Sequence, residues 1–193
     1  MLISSDFEVA QPLGKVWDFF DNIAGVAACL PGAELTDDLG DDKYLGKVAI
    51  RMGPVKLSFN GTADITERDD NAKRIVVDAA GADEKGRGNA SMLVTASLAA
   101  LGANKTRVDV TQDIQLSGAA AQYGRGMISD VTAVLMRDFA RNLQDRIDAV
   151  ERGESATGAA SPASGFAIGL SAMRMALVRV FRRFFLPYQP TTP

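Results

Sequence analysis

The sequence predicts an α+β fold in which a curved antiparallel sheet grips one long C-terminal helix. Two patterns carry that expectation. From residue 44 to Leu116, apolar and polar side chains alternate with period two through successive segments, as in a sheet with one wet face. After Gly118 the period lengthens, and Met127, Ile128, Val131, Val134, Leu135, Phe139, Leu143, Ile147 and Val150 recur three and four apart. That spacing predicts one amphipathic helix running to about Glu151.

The remaining elements follow in chain order. Residues 2–10 alternate as a first strand, and Pro12 opens a helix whose Val16, Trp17, Phe19, Phe20 and Ile23 form a bulky apolar face. Cys29-Leu30-Pro31-Gly32 ends this helical region, and Gly40-Asp41-Asp42 makes a turn. Strands are expected over 44–52, 55–66, 74–80, 89–101 and 105–116. Gly53-Pro54, Arg68-Asp69-Asp70-Asn71, Gly86-Arg87-Gly88 and Gly102-Ala103-Asn104 separate them. In the second of these strands Val55, Leu57, Phe59, Gly61, Ala63 and Ile65 point inward. Three parts result: a folded domain over 1–151, a linker over 152–165 rich in Gly, Ala and Ser, and a tail over 166–193.

Composition narrows the chemistry. The 193 residues include no His, which rules out His-ligated zinc, copper or haem and any imidazole base. One cysteine, Cys29, leaves no internal disulfide, no CxxC pair and no cysteine-ligated iron–sulfur cluster. The acidic pairs Asp37-Asp38, Asp41-Asp42 and Asp69-Asp70 flank turns, where carboxylates are solvated. Asp83-Glu84-Lys85 beside Arg87 reads as a wet loop, and Gly86-Arg87-Gly88 falls short of a phosphate loop. Cys29 reads as an inert buried thiol. No catalytic residue and no metal site are expected.

Small inward residues point instead to ligand binding. Gly61, Ala63, Ala79, Ala90, Ala96 and Ala100 are candidates to face the long helix, where a filled core would use larger side chains. They fit either a hollow for an apolar ligand or a sheet whose curvature needs backbone clearance. Phe59, Met92, Val94, Met127 and Val131 would line such a hollow. Gln112, in register with Val108 and Val110, and Tyr123 could bond a ligand carbonyl, or could serve a neighbouring backbone group and the rim. Trp17 and Phe20 could stack on a flat ring or simply fill the core.

The tail carries a separate signal. All 24 acidic residues lie at or before Glu154, so the body carries −7 and the remainder +4. At 100° per residue Phe166, Leu170, Met173, Leu177, Val180, Phe181 and Phe184 share a stripe, with Ser171, Arg179, Arg182 and Arg183 opposite, Arg174 beside it, and Ile168, Met175 and Leu186 breaking the polar face. Four arginines oppose a membrane crossing and favour a helix lying in an anionic lipid surface, with a groove on a partner protein as the alternative. The acidic body gives no footprint for nucleic acid. The N-terminus lacks a cationic, apolar leader, so a cytoplasmic protein, peripheral on the inner face of the cell membrane, is expected.

Several motifs together resemble one family. Cys29-Leu30-Pro31-Gly32-Ala33-Glu34, and Gly53-Pro54-Val55 followed by Phe59-x-Gly61, are its more specific marks. Gly86-x-Gly88-x-Ala90 and Gly118 before the long helix accompany them. Over roughly 1–150 the sequence resembles the carbon monoxide dehydrogenase CoxG family, within the START-like, SRPBCC helix-grip superfamily. The resemblance implies a non-catalytic accessory of CO dehydrogenase or a related molybdenum hydroxylase. Joined to the hollow and the tail, it leads to the expectation of a carrier for a lipophilic quinone, menaquinone or ubiquinone. Two other functions stay open: a docking or cofactor-assembly factor without a ligand, and a cyclase- or hydrolase-like enzyme.

Overall fold

The computed structural model describes residues 1–52 and 55–153. Its elements are β1 (Leu2–Val9), α1 (Leu13–Phe20), α2 (Ile23–Ala27), β2 (Ala33–Gly40), β3 (Lys43–Met52), β4 (Val55–Asp69), β5 (Arg74–Asp83), β6 (Asn89–Gly102), β7 (Lys105–Leu116) and α3 (Arg125–Glu151). The strands make one sheet in the order β1-β7-β6-β5-β4-β3-β2, antiparallel throughout. Strands β2 to β7 form a meander, and β1 closes onto β7 at the far edge. This is the curved sheet with a long C-terminal helix that the two periodicities predict. The linker and tail lie outside the described residues, as does the Gly53-Pro54 turn.

Several elements differ from expectation. The first helical region is broken into α1 and α2, with the Asn22 side chain accepting from the Gly25 N–H to start the second. Strand β2 is hidden in the sequence because it is an edge strand whose second half, Asp37 to Gly40, is exposed throughout. An edge strand wet on both faces shows no alternation. Strands β4 and β5 also run past their expected ends, and an irregularity between Ile65 and Glu67 shifts the side-chain parity there.

Helix α3 is held to the sheet at its C-terminal end by polar ties. The Ala10 N–H donates to Gln144 Oε1 at 2.7 Å, and Gln11 Nε2 donates to Asp148 Oδ1 at 3.0 Å and Glu151 Oε2 at 2.8 Å. Lys15 pairs with Glu151. Asn142 Nδ2 donates to the Cys29 carbonyl at 2.9 Å, which ties the helix to the end of α2. Below these contacts lies the main apolar cluster: Val9, Val16, Trp17, Phe19, Phe20, Ile75, Ala96, Leu98, Val108, Val110, Leu143 and Ile147 are buried together with Cys29.

Candidate functional site: a gap between two apolar clusters

Among the described residues the inner face of the sheet meets α3 in two separate clusters. The main one takes Met136, Phe139, Leu143 and Ile147 from the helix, and Phe139 meets Phe7 edge-on with ring centroids 5.9 Å apart. The second gathers Ile50, Val55, Leu57, Phe59, Leu116, Ala120 and Tyr123 around Ile128 and Val131. Leu135 of α3 and Ala63, Ala79, Met92 and Ile114 of the sheet belong to neither cluster and stay half-buried.

Strand register explains why the face is thin there. One inward rung runs Leu35–Gly46–Gly61–Gly81–Ala90–Leu116, so its four middle strands offer nothing larger than a methyl group and a leucine stands at each end. The next rung is Tyr44–Ala63–Ala79–Met92–Ile114, and the one after it is Ile65–Val77–Val94–Gln112–Ile3. Apart from the exposed Asp38, which pairs with Tyr44 on edge strand β2, no Asp, Glu, Lys or Arg occurs in these three rungs. A Cβ on Gly61 would stand 2.0 Å from the Ala80 carbonyl oxygen, so this glycine is required by the close approach of β5. The reading in which a coiled sheet needs glycine for backbone clearance therefore holds at Gly61.

One end of this region is clamped by a buried ion pair. Asp83, in the rung of Phe59, has a side chain only 1% exposed. It accepts from Arg87 Nε and Nη2, both at 2.7 Å, and from the backbone N–H groups of Ser58, Lys85 and Arg87. The Arg87 guanidinium, with these N–H groups, holds the Asp83 carboxyl far below the usual carboxylate range. The wet loop expected at Asp83-Glu84-Lys85 is thus corrected at its first residue. Next to it Gly88 and Gly118 lie back to back: a Cβ on either would come within 2.1–2.2 Å of a carbonyl oxygen of the opposite segment. The β5–β6 loop is thereby clasped to the segment that leads into α3.

The residues expected to bind ligand fall into three groups, with Met127 apart from all of them. Gly61, Ala63, Met92, Val94 and Gln112 lie on the three rungs, with Val94 packed on the main cluster. Phe59, Tyr123 and Val131 belong to the second cluster. Trp17 and Phe20 are packed inside the main cluster, where the Trp17 indole N–H donates to Asp70 at 2.8 Å and Lys73 Nζ stands 5.0 Å from the ring centre. Met127 is 43% exposed at the first turn of α3 and belongs to neither cluster. Of the other small residues, Ala96 is buried in the main cluster and Ala100 is exposed. Phe166, Leu170, Met173, Arg174, Leu177, Arg179, Phe181, Arg182, Arg183 and Phe184 all lie outside the described residues.

Sequence reasoning overlooked two polar groups on the inner face. The Ser5 hydroxyl is buried without a hydrogen-bond partner. Thr132, on α3 four residues after Ile128, is 7% exposed, as is Gln112. Their signals are faint: one serine among Ile3, Phe7 and Val9, and one threonine in a helical apolar stripe.

Nucleophilic and metal chemistry find little support. Burial pushes the Cys29 thiol up to about 11, against the pull of Arg146, and its Sγ–H donates to the Gly25 carbonyl at 3.2 Å. Among the described residues no three or more Cys, Asp or Glu side chains gather as a metal site would require. No helix among them is long and apolar enough to cross a membrane.

A curved seven-stranded antiparallel sheet gripping a C-terminal helix defines a START-like helix-grip protein, and the similar solved structures agree. A conserved protein from Geobacillus kaustophilus is 20% identical, with a TM-score of 0.70 over 77% of this chain and 95% of its own. The Zhui aromatase/cyclase from Streptomyces sp. R1128 is 16% identical, with a TM-score of 0.58 over 82% and 98%. A START superfamily protein from Mycobacterium smegmatis is 14% identical, with a TM-score of 0.56 over 77% and 98%. At these identities the likeness is one of fold. Residues 6–148 match the family model of CoxG, the G subunit of carbon monoxide dehydrogenase, and the chain belongs to that family. The family's name associates it with carbon monoxide dehydrogenase. No curated protein matches the chain in sequence.

Proposed function

We propose that this protein is a non-catalytic carrier that holds a lipophilic quinone between α3 and the sheet and serves a CO dehydrogenase-type molybdenum enzyme at the inner face of the cell membrane. The observation that carries this reading is the pair of separate apolar clusters with thin rungs between them, uncharged but for the exposed Asp38 at the edge. Such a region excludes ions by their desolvation cost and accepts flat or chain-like apolar molecules. A quinone of menaquinone or ubiquinone type has that character. Its isoprenoid chain keeps it in the bilayer, while a molybdenum hydroxylase delivers electrons at a protein surface. A carrier that shelters the chain lets electrons from the enzyme and protons from water convert the quinone to quinol away from the lipid. The cationic, aromatic segment over 166–186 supports recruitment to an anionic membrane, and family membership supports the partner.

The test is to incubate the full chain with total lipid extract from a respiring bacterium, repurify it, and identify what an organic solvent removes by mass spectrometry. Recovery of a quinone in near-stoichiometric amount is the expected result. A protein that returns empty would favour the docking or assembly role. A bound product of a different class, chemically altered by the protein, would favour an enzyme.

A further inference from the structure

The gap is not apolar throughout, and its polar groups lie together. Ser5 on β1 and Gln112 on β7 are diagonal neighbours on the inner face, because Ile3 pairs with Gln112 and Ser5 with Val110. Thr132 reaches the same level from the helix. The Phe7–Phe139 contact fixes how β1 and α3 are aligned. Thr132 lies seven residues before Phe139, which is about 10 Å along the helix and on the same face. Ser5 and Ile3 lie roughly 7 and 13 Å along the strand from Phe7. The strand and helix run in the same direction here, since Phe7 meets Phe139 and Ala10 bonds Gln144, so Thr132 comes level with the step between Ser5 and the Ile3–Gln112 pair.

Among the described residues the buried polar groups Gln11, Asp83 and Thr106 are hydrogen-bonded through their side chains. The Gln112 amide and the Thr132 hydroxyl, each in a residue 7% exposed, make no such bond there, and neither does the Ser5 hydroxyl. The Ser5 hydroxyl is buried outright, and the Gln112 amide and Thr132 hydroxyl keep a little exposure, so all three retain hydrogen-bonding capacity for a partner at this level.

We infer that Ser5, Gln112 and Thr132 form the seat for the polar end of the ligand, and that this end is an uncharged head bearing carbonyl or hydroxyl groups. The inference rests on the carrier reading and adds a direction to it. Two hydroxyls and an amide both donate and accept, so they serve a carbonyl or a hydroxyl equally. The three rungs hold no cation to neutralise a carboxylate or phosphate, and on the rung of Ser5 the cation, Arg68, stands at the far end on β4 and is paired with Asp21, which makes fatty acids and phospholipids poor ligands. From this seat the apolar chain would pass over Ala79 and Gly81 toward Phe59 and Tyr123.

The test compares two probes: a naphthoquinone with one isoprenyl unit, and the matching isoprenyl naphthalene without ring oxygens. Gln112→Met and Thr132→Val remove the polar groups at nearly constant volume, and both are expected to keep or raise the melting temperature because no internal bond is lost. Each should weaken quinone binding roughly 3- to 10-fold while binding the hydrocarbon as well as the wild type does. Equal affinity of wild type and both variants for the quinone overturns the seat but leaves the carrier reading intact. Equal losses for both probes also overturn it, since they indicate altered packing. If the wild-type chain binds neither probe, the carrier reading itself fails.

Discussion

Asp83 shows how far one residue can depart from its local sequence. It sits in a run of charged and turn-forming residues, yet its carboxylate is enclosed and bound by five N–H groups. The signal that would have found it is parity, because it falls on the inward rung of Phe59. Its pH behaviour follows from the direction of its shift. The folded state holds the carboxyl far below its ordinary value of 3.8, so the stabilisation is complete above that value and is lost as pH falls toward the folded value. Asp83→Asn should lower the melting temperature at neutral pH and flatten the fall in stability between about pH 4 and pH 2. Thermal melts of wild type and variant across that range check this; parallel curves would show that Asp83 does not supply the acid dependence.

At the scale of elements, the long helix and the period-two strands were legible because each buries one face against a continuous partner. Edge strand β2 was not, since its second half is exposed on both faces. The site was legible in composition and not in position: the small inward residues were visible, but which lie in the gap depends on cross-strand register. Ala63 and Ala96 make the point. Both are inward alanines, yet Ala96 is buried in the main cluster and Ala63 lies on a thin rung between the clusters. Ala96→Leu should therefore cost ~1–3 kcal/mol by overpacking. Ala63→Leu should cost less than about 1 kcal/mol and weaken quinone binding. Chemical denaturation of the two variants separates them. Equal costs would mean that the region around Ala63 is filled.

For the molecule as a whole, an acidic body is joined in sequence to a cationic, aromatic tail. Each arginine near an anionic leaflet contributes on the order of 1 kcal/mol, and salt screens that part while leaving the apolar part. The full chain should therefore sediment with anionic vesicles, less so at high salt, and hardly at all with neutral ones. Changing Phe181 and Phe184 to Ser should weaken binding at every salt concentration. A chain ending at residue 153 that sediments equally well would point to the body instead of the tail.

The central claim is that a lipophilic quinone occupies the gap between the two clusters, and Met92 stands on the rung that must report it. The most direct measurement is a methyl-resonance titration of the full chain, labelled at its seven methionines, with an isoprenyl naphthoquinone. A quinone in the gap should give a saturable shift of the Met92 methyl, with a smaller one at Met136 on the edge of the main cluster. An unmoved Met92 at saturation, or shifts confined to exposed Met127, would contradict it.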